Sequence, residues 1–294
     1  MQQPELSELW KPELFEIWDY LFDCHKLGEV VEIHRGFSGI DNQNEVECFD
    51  KSGEDCFSLL SNADDLRQFD INPLADLKTR AIRENAWYSQ WNKAKVIFNK
   101  TFVSDGAWKL TAVADKKGLF CSSQFLGIWP KMPGRYDVIS LAAILNSPLA
   151  NAFVDIHTTG YDVSIPVMKA IPIPSRLNLF VIRQQVQAYL KLRVQDDLRN
   201  DNALEKALKS IDAEILRAYD LPPKLERLLL DYFNGENRPV DHEFGDYYPS
   251  DLMAWIPLHE YLSEGYQKLK GDWVQEVFKP LNETEIGILR NYLP

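Results

Sequence analysis

Along the chain the spacing of apolar side chains changes more than once, and each change predicts a change of architecture. In PELFEIWDYLFD the apolar residues Leu14, Ile17, Trp18, Leu21 and Phe22 recur at helical spacing. GEVVEIHRGFSG then sets Val30, Val31 and Ile33 ahead of a glycine-bounded turn at 35–39, which predicts a strand. Residues 41 to 70 are polar and acidic and are expected to be rich in loops. KAKVIFNK, 93 to 100, is a short β-branched and aromatic run. WKLTAVADKKGLFCSS alternates as two strands of a hairpin would around Asp115-Lys116-Lys117-Gly118, the glycine supplying a positive φ. QFLGIWP continues the sheet.

The next stretch, AAILNSPLANAFV from Ala142 to Val154, is an apolar helix with Asn146-Ser147-Pro148 cut into it. It predicts an αα corner: Asn146 ends one helix, Ser147 caps the next, and Pro148 occupies the first turn. A loop from Asp155 to Ser164 follows, then MKAIPIP, whose alternate prolines suit an edge strand or the exit from a sheet. After Ser175 the period becomes helical and stays so through LFVIRQQVQAYLKLRVQDDL, ALEKALKSIDAEILRAYDLPP and PKLERLLLDYFNG, the last opening on Pro and closing on Gly. From Glu236 the chain is turn-rich and aromatic, with one more helix expected near PLHEYLSEGYQKL. The fold class is therefore α+β, with a mixed sheet followed by a helical unit and divisions at 1–175, 176–235 and 236–294.

With 294 residues and 45% hydrophobic composition the chain can bury a sizeable core. No run of apolar residues is long enough to span a membrane, and the N-terminus lacks the basic and apolar regions of an export signal, so a cytoplasmic location is expected. Charge changes the picture more than size does. The total is −12, yet residues 1–90 carry −11 and 201–294 carry −8, while 91–200 carry +7 and contain no glutamate. An acidic chain thus has a basic island, which is either a solvated face or a surface for a polyanion.

Catalytic signatures are absent. There is no G-x-G-x-x-G after a strand, no P-loop, no G-x-S-x-G elbow and no H-E-x-x-H. His25, His34, Cys24, Cys48 and Cys56 share a segment without the close C-x2-C pairs of a zinc site, so no metal is expected. The four cysteines are too sparse for a disulfide framework. The acidic runs GEDC and NADDLRQFD fit solvated loops better than a carboxylate pair of a hydrolase.

In order and spacing, LGEVVEIHRGFSG, WNKAKVIFNKTFVSDGAWKLTAVADKKGLFCSSQFLGIWP, LAAILNSPLANAFVDIHTTG and VMKAIPIP resemble the target-recognition part of adenine-N6 DNA methyltransferases. More narrowly, they are similar to the TaqI-like C-terminal specificity domain of Type IIG restriction-modification enzymes, over roughly residues 27 to 175. The resemblance implies that the helix ending in the Asn-Ser step packs beside the recognition sheet and that the IPIP segment closes the domain. Enzymes of that family carry upstream a glycine-rich S-adenosylmethionine loop and an Asn/Asp-Pro-Pro-aromatic motif. Neither is present: Pro222-Pro223 opens a helix, and the Asn72-Pro73 step lacks the second proline and the aromatic.

The resemblance implies a recognition subunit or fragment that is not an enzyme by itself and needs no cofactor. Its partners would be double-stranded DNA and a methyltransferase catalytic subunit or a second copy of the chain, the latter docking on the helices from about Leu177 to Gly235. Hairpin turns and loops at one end of a sheet suit groove contacts, which singles out Arg35, Lys116, Lys117, Lys131 and Arg135. Trp87, Trp91 and Trp108 are expected in the core, base stacking being the rarer fate. Two other classes stay open, a protein-interaction module working through its acidic flanks and a nuclease with dispersed carboxylates.

Overall fold

The computed structural model describes residues 14–37, 56–71, 78–81, 88–194, 201–252 and 255–269. Its strands are β1 (Val31–Arg35), β2 (Cys56–Leu60), β3 (Leu66–Arg67), β4 (Asp70–Ile71), β5 (Lys78–Ala81), β6 (Lys95–Asn99), β7 (Ala112–Asp115), β8 (Phe120–Cys121) and β9 (Phe125–Pro130). The main sheet has the order β1-β9-β6-β7 and is antiparallel throughout. A second sheet, β5-β2-β8, is mixed, β2 running antiparallel to β5 and parallel to β8, and β3 pairs with β4. The fold is α+β.

β6 is buried along its whole length, as is nearly all of β9, because both faces of the main sheet are covered. Val31, Ile33, Val96, Phe98, Leu126 and Ile128 enter a large core shared with the helices. Ile97, Val113, Phe125 and Trp129 face the other way and pack with Phe37, Leu60, Trp91 and Phe120 in a smaller one. Alternate residues thus serve two cores, which is why these strands are apolar runs without polar alternation. Gly127 is needed for the second packing: a Cβ there would lie 2.5 Å from the Trp129 ring.

The helices before the sheet are α1 (Phe15–Tyr20), α2 (Leu27–Val30) and α3 (Tyr88–Trp91). Of the apolar pair α4 (Val138–Asn146) and α5 (Pro148–His157), α4 lies against β6 and β7, every one of its residues being buried, and α5 packs on α9. The two helices meet at 59°, and no single helix among the described residues is long and apolar enough to cross a membrane. Ser147 caps α5, its hydroxyl accepting from the Ala150 N–H, with Pro148 in the first turn as expected. Asn146 does more than end α4: its side-chain amide donates to the Ala112 carbonyl and its Oδ1 accepts from the Ala112 N–H, both at 2.8 Å, so it pairs with edge strand β7 as another strand would. Asn151 repeats the device, its Oδ1 accepting from the N–H groups of Lys109 and Leu110.

Three expectations are corrected. The residues around Asp115–Gly118 form no hairpin, because β8 leaves β7 and pairs with β2 instead. MKAIPIP is not one strand: Met168–Ala170 end helix α6 (Ile165–Ala170), and only the Ile171–Ile173 step runs beside residues 25–27, through the hydrogen bonds Leu27 N to Ile171 O and Ile173 N to His25 O. Residues 56–70, the described part of the stretch 41–70, are less irregular than their polarity suggests, since β2, β3 and the start of β4 fall there. Trp87 lies outside the described residues.

α7 (Leu179–Val194), α8 (Asp201–Tyr219) and α9 (Pro223–Asp231) follow the helical spacing. Ile182, Val186, Tyr189, Leu208, Ile211, Ile215 and Leu229 enter the same core as the sheet, so these apolar stripes are taken up by the chain itself. The last expected helix is two, α10 (Leu258–Tyr261) and α11 (Glu264–Leu269). A buried Arg238 ties the layers together. Its guanidinium donates to Asp212 on α8, Gln68 beside β4, the Asn146 carbonyl and the Tyr247 hydroxyl, and stacks 4.4 Å from the Trp108 ring centroid.

Candidate nucleic-acid interface

The turn after β7 is built around one carboxylate. Asp115 Oδ1 accepts from the N–H groups of Lys117 at 2.8 Å and Gly118 at 3.2 Å; Oδ2 accepts from the Leu119 N–H at 2.7 Å and from the Lys95 ammonium at 2.5 Å. Lys95 is fully buried and donates also to the Trp91 carbonyl at 2.7 Å, its ammonium 5.2 Å from the Trp91 ring centroid. Burial pushes the Lys95 pKa down while Asp115 opposes the shift. The pair neutralises itself inside the fold and fixes the turn. Gly118 has φ +79°, and a Cβ there would lie 2.3 Å from the Asn92 carbonyl oxygen, so the glycine is required twice over. Lys116 and Lys117 project from this clamped turn, exposed, and neither forms an ion pair with a described residue.

Strand register places the other candidates. Lys95 stands opposite Asp115, and Val96 opposite Ile128, so the end of β9 and the turn after β7 lie at the same end of the main sheet. Lys131 leaves β9 at that end, its backbone N–H bonded to the Val30 carbonyl and its ammonium to the Gly28 carbonyl at 3.0 Å. Arg135 lies four residues on, exposed, donating to the Ser175 carbonyl and set against the Tyr136 ring. Arg35 is at the opposite end: it pairs with Leu126, and its Nε donates to the Ser123 carbonyl at 3.0 Å. The structure therefore brings Lys116, Lys117 and Lys131 to one end of the sheet and leaves Arg35 at the other.

The basic island divides by function in the fold. Lys95 pairs with Asp115, Lys100 with Asp162, Lys109 with Asp155, Arg183 with Asp137, and Arg193 with Asp70 and Asp241. Those cations brace the chain, which sequence alone could not separate from the solvent-facing ones. Trp91 and Trp108 are in the core, at 1% and 0% exposure. No group of three metal-ligating side chains occurs among the described residues.

No protein-family model and no curated protein matches the sequence. Among solved structures the chain is similar to one described as the structural basis of "complex assembly and conformational transition of the type I R-M system". The match covers 72% of this chain and 46% of that one, with 14% identity and a TM-score of 0.35. A likeness that slight carries no argument about function.

Proposed function

We propose that the chain is a DNA-recognition module of a restriction-modification adenine methyltransferase system, holding duplex DNA without acting on it chemically. One observation carries this reading: exposed Lys116 and Lys117 on a turn held by the buried Lys95–Asp115 pair, with Lys131 at the same sheet end. A turn fixed before binding loses little conformational entropy when it meets a ligand, and unpaired cations on it suit a phosphate backbone. The resemblance of residues 27 to 175 to specificity domains supplies the restriction-modification context, in which a separate methyltransferase subunit does the chemistry.

The test is a titration of labelled duplex DNA at low and moderate salt. Affinity should fall steeply with salt, and Lys116→Ala with Lys117→Ala should weaken binding to all sequences and lower the slope by about one unit per lost contact. No binding by the parent at any salt overturns the reading and leaves protein interaction through the acidic flanks ahead. Arg135, or Arg35 through a separate contact, would read a base; losing such a contact should cost about 1–3 kcal/mol at one position only. The purified chain should show no saturable S-adenosylmethionine binding in calorimetry.

A further inference from the structure

Strand order places lysines side by side that are far apart in sequence. At the end of the sheet that carries the Asp115 turn, the order β7-β6-β9 presents in succession the lysines at 116 and 117, Lys93 and Lys131, and Lys169 on α6 lies beyond them against Gly28. Lys93 lies two residues before the start of β6, and the Asn92 carbonyl beside it lies against Gly118 of the lysine turn. Trp129, two residues before Lys131, donates its indole N–H to the Gln90 carbonyl at 2.9 Å, joining the β9 end to the segment that carries Lys93. Gly28 then joins Lys131 to Lys169: its carbonyl receives the Lys131 ammonium, and a Cβ on it would lie 2.8 Å from the Lys169 Cβ.

All five lysines are exposed, and none is ion-paired with a described carboxylate, whereas Lys95, Lys100 and Lys109 are. Among the described residues the Lys93 ammonium has only the neutral Gln90 amide as partner. Near the β1 end Glu29 lies 2.9 Å from His25 and Glu32 lies 3.8 Å from His34. Two strand spacings of about 4.8 Å set the lysine turn and Lys131 about 10 Å apart.

Resting on the DNA-recognition reading, we infer that Lys93 and Lys169 belong to the interface, and that the row Lys116, Lys117, Lys93, Lys131 and Lys169 tracks the phosphates of one strand of a duplex. The row is a positioning track that carries no sequence information, since backbone contacts orient a protein on DNA without reading bases. Sequence reading then falls to loops outside the row.

The experiment measures the salt dependence of duplex binding, by fluorescence anisotropy, for the full chain, for Lys93→Ala with Lys169→Ala, and for Lys206→Ala on α8 with Lys224→Ala on α9 as a charge-matched control. The double variant should lower the slope by about 1.8, from 0.9 per phosphate contact, equally for unrelated sequences, while the control lowers it by neither. An unchanged slope in the double variant with intact parental binding overturns the row and leaves the Lys116–Lys117 reading standing. A parent that binds no duplex overturns both. Loss in the double variant confined to one sequence also overturns it, because a phosphate track has no base preference.

Discussion

Glu226 is 2% exposed on α9, and the partner of its carboxylate is the Leu258 backbone N–H at the start of α10. Burial raises its pKa from 4.5 to about 7. The folded state therefore keeps a proton that the unfolded chain has released, and stability falls as pH rises from 4.5 to about 7, then levels off. Glu226→Gln keeps the acceptor for Leu258 and removes the titration. Urea unfolding across this pH range should show variant and parent alike below pH 4.5, with the variant ahead by roughly 3 kcal/mol at most above pH 7. A constant offset at all pH values would show that the carboxyl is not the cause. Arg238→Met has the opposite consequence. It strands the Asp212 carboxylate in a site where it is 1% exposed, and should cost about 3–5 kcal/mol in the same assay.

Elements are held in register by side chains acting as backbone. Asn146 closes two hydrogen bonds to Ala112 and Asn151 two to the Lys109–Leu110 step, so the α4–α5 corner fixes the edge of the main sheet. Asn146→Ala should cost about 1–3 kcal/mol, because the Ala112 N–H is left buried and unmatched while its carbonyl keeps the Phe69 N–H. Gly118→Ala acts on the turn proposed to face DNA through geometry alone, forcing a Cβ toward the Asn92 carbonyl at a positive φ. It should destabilise the fold by about 1–3 kcal/mol and weaken DNA binding, although it removes no charge. Parental affinity in a folded Gly118→Ala chain would detach the turn from binding.

At the scale of the whole molecule, one apolar core runs from Ile17 to Tyr266 and takes in sheet and helices alike. The helices from 177 to 235 are therefore joined to the sheet by burial, and Arg238 adds a polar tie between α8, the α4–α5 corner and the segment beside β4. A chain ended at Ser175 would expose the side of this core that Ile182, Tyr189, Ile211 and Ile215 now cover, and it should show no cooperative thermal transition. A sharp transition in that fragment would mean that the first 175 residues fold independently.

Local chemistry determined much of this. Short β-branched and aromatic runs marked β6 and β9, and apolar spacing marked the long helices, since strand preference and period 3.6 are set by local backbone geometry before any tertiary contact. Asn146-Ser147-Pro148 showed the corner because capping and proline's fixed φ act within a few residues. Gly118 showed a positive φ for the same reason. Tertiary structure alone decided that β8 leaves β7 for β2, because pairing partners depend on which surfaces meet in three dimensions. Met168–Ala170 end a helix that has Pro166 in its first turn, a local signal upstream that outweighs the alternating prolines downstream. The interface was only half legible. The basic island was visible as composition, but which lysines brace the fold and which face solvent depends on distant carboxylates such as Asp155 and Asp162. Charge follows from sequence, whereas the neighbours that neutralise it or leave it free follow from strand order and packing.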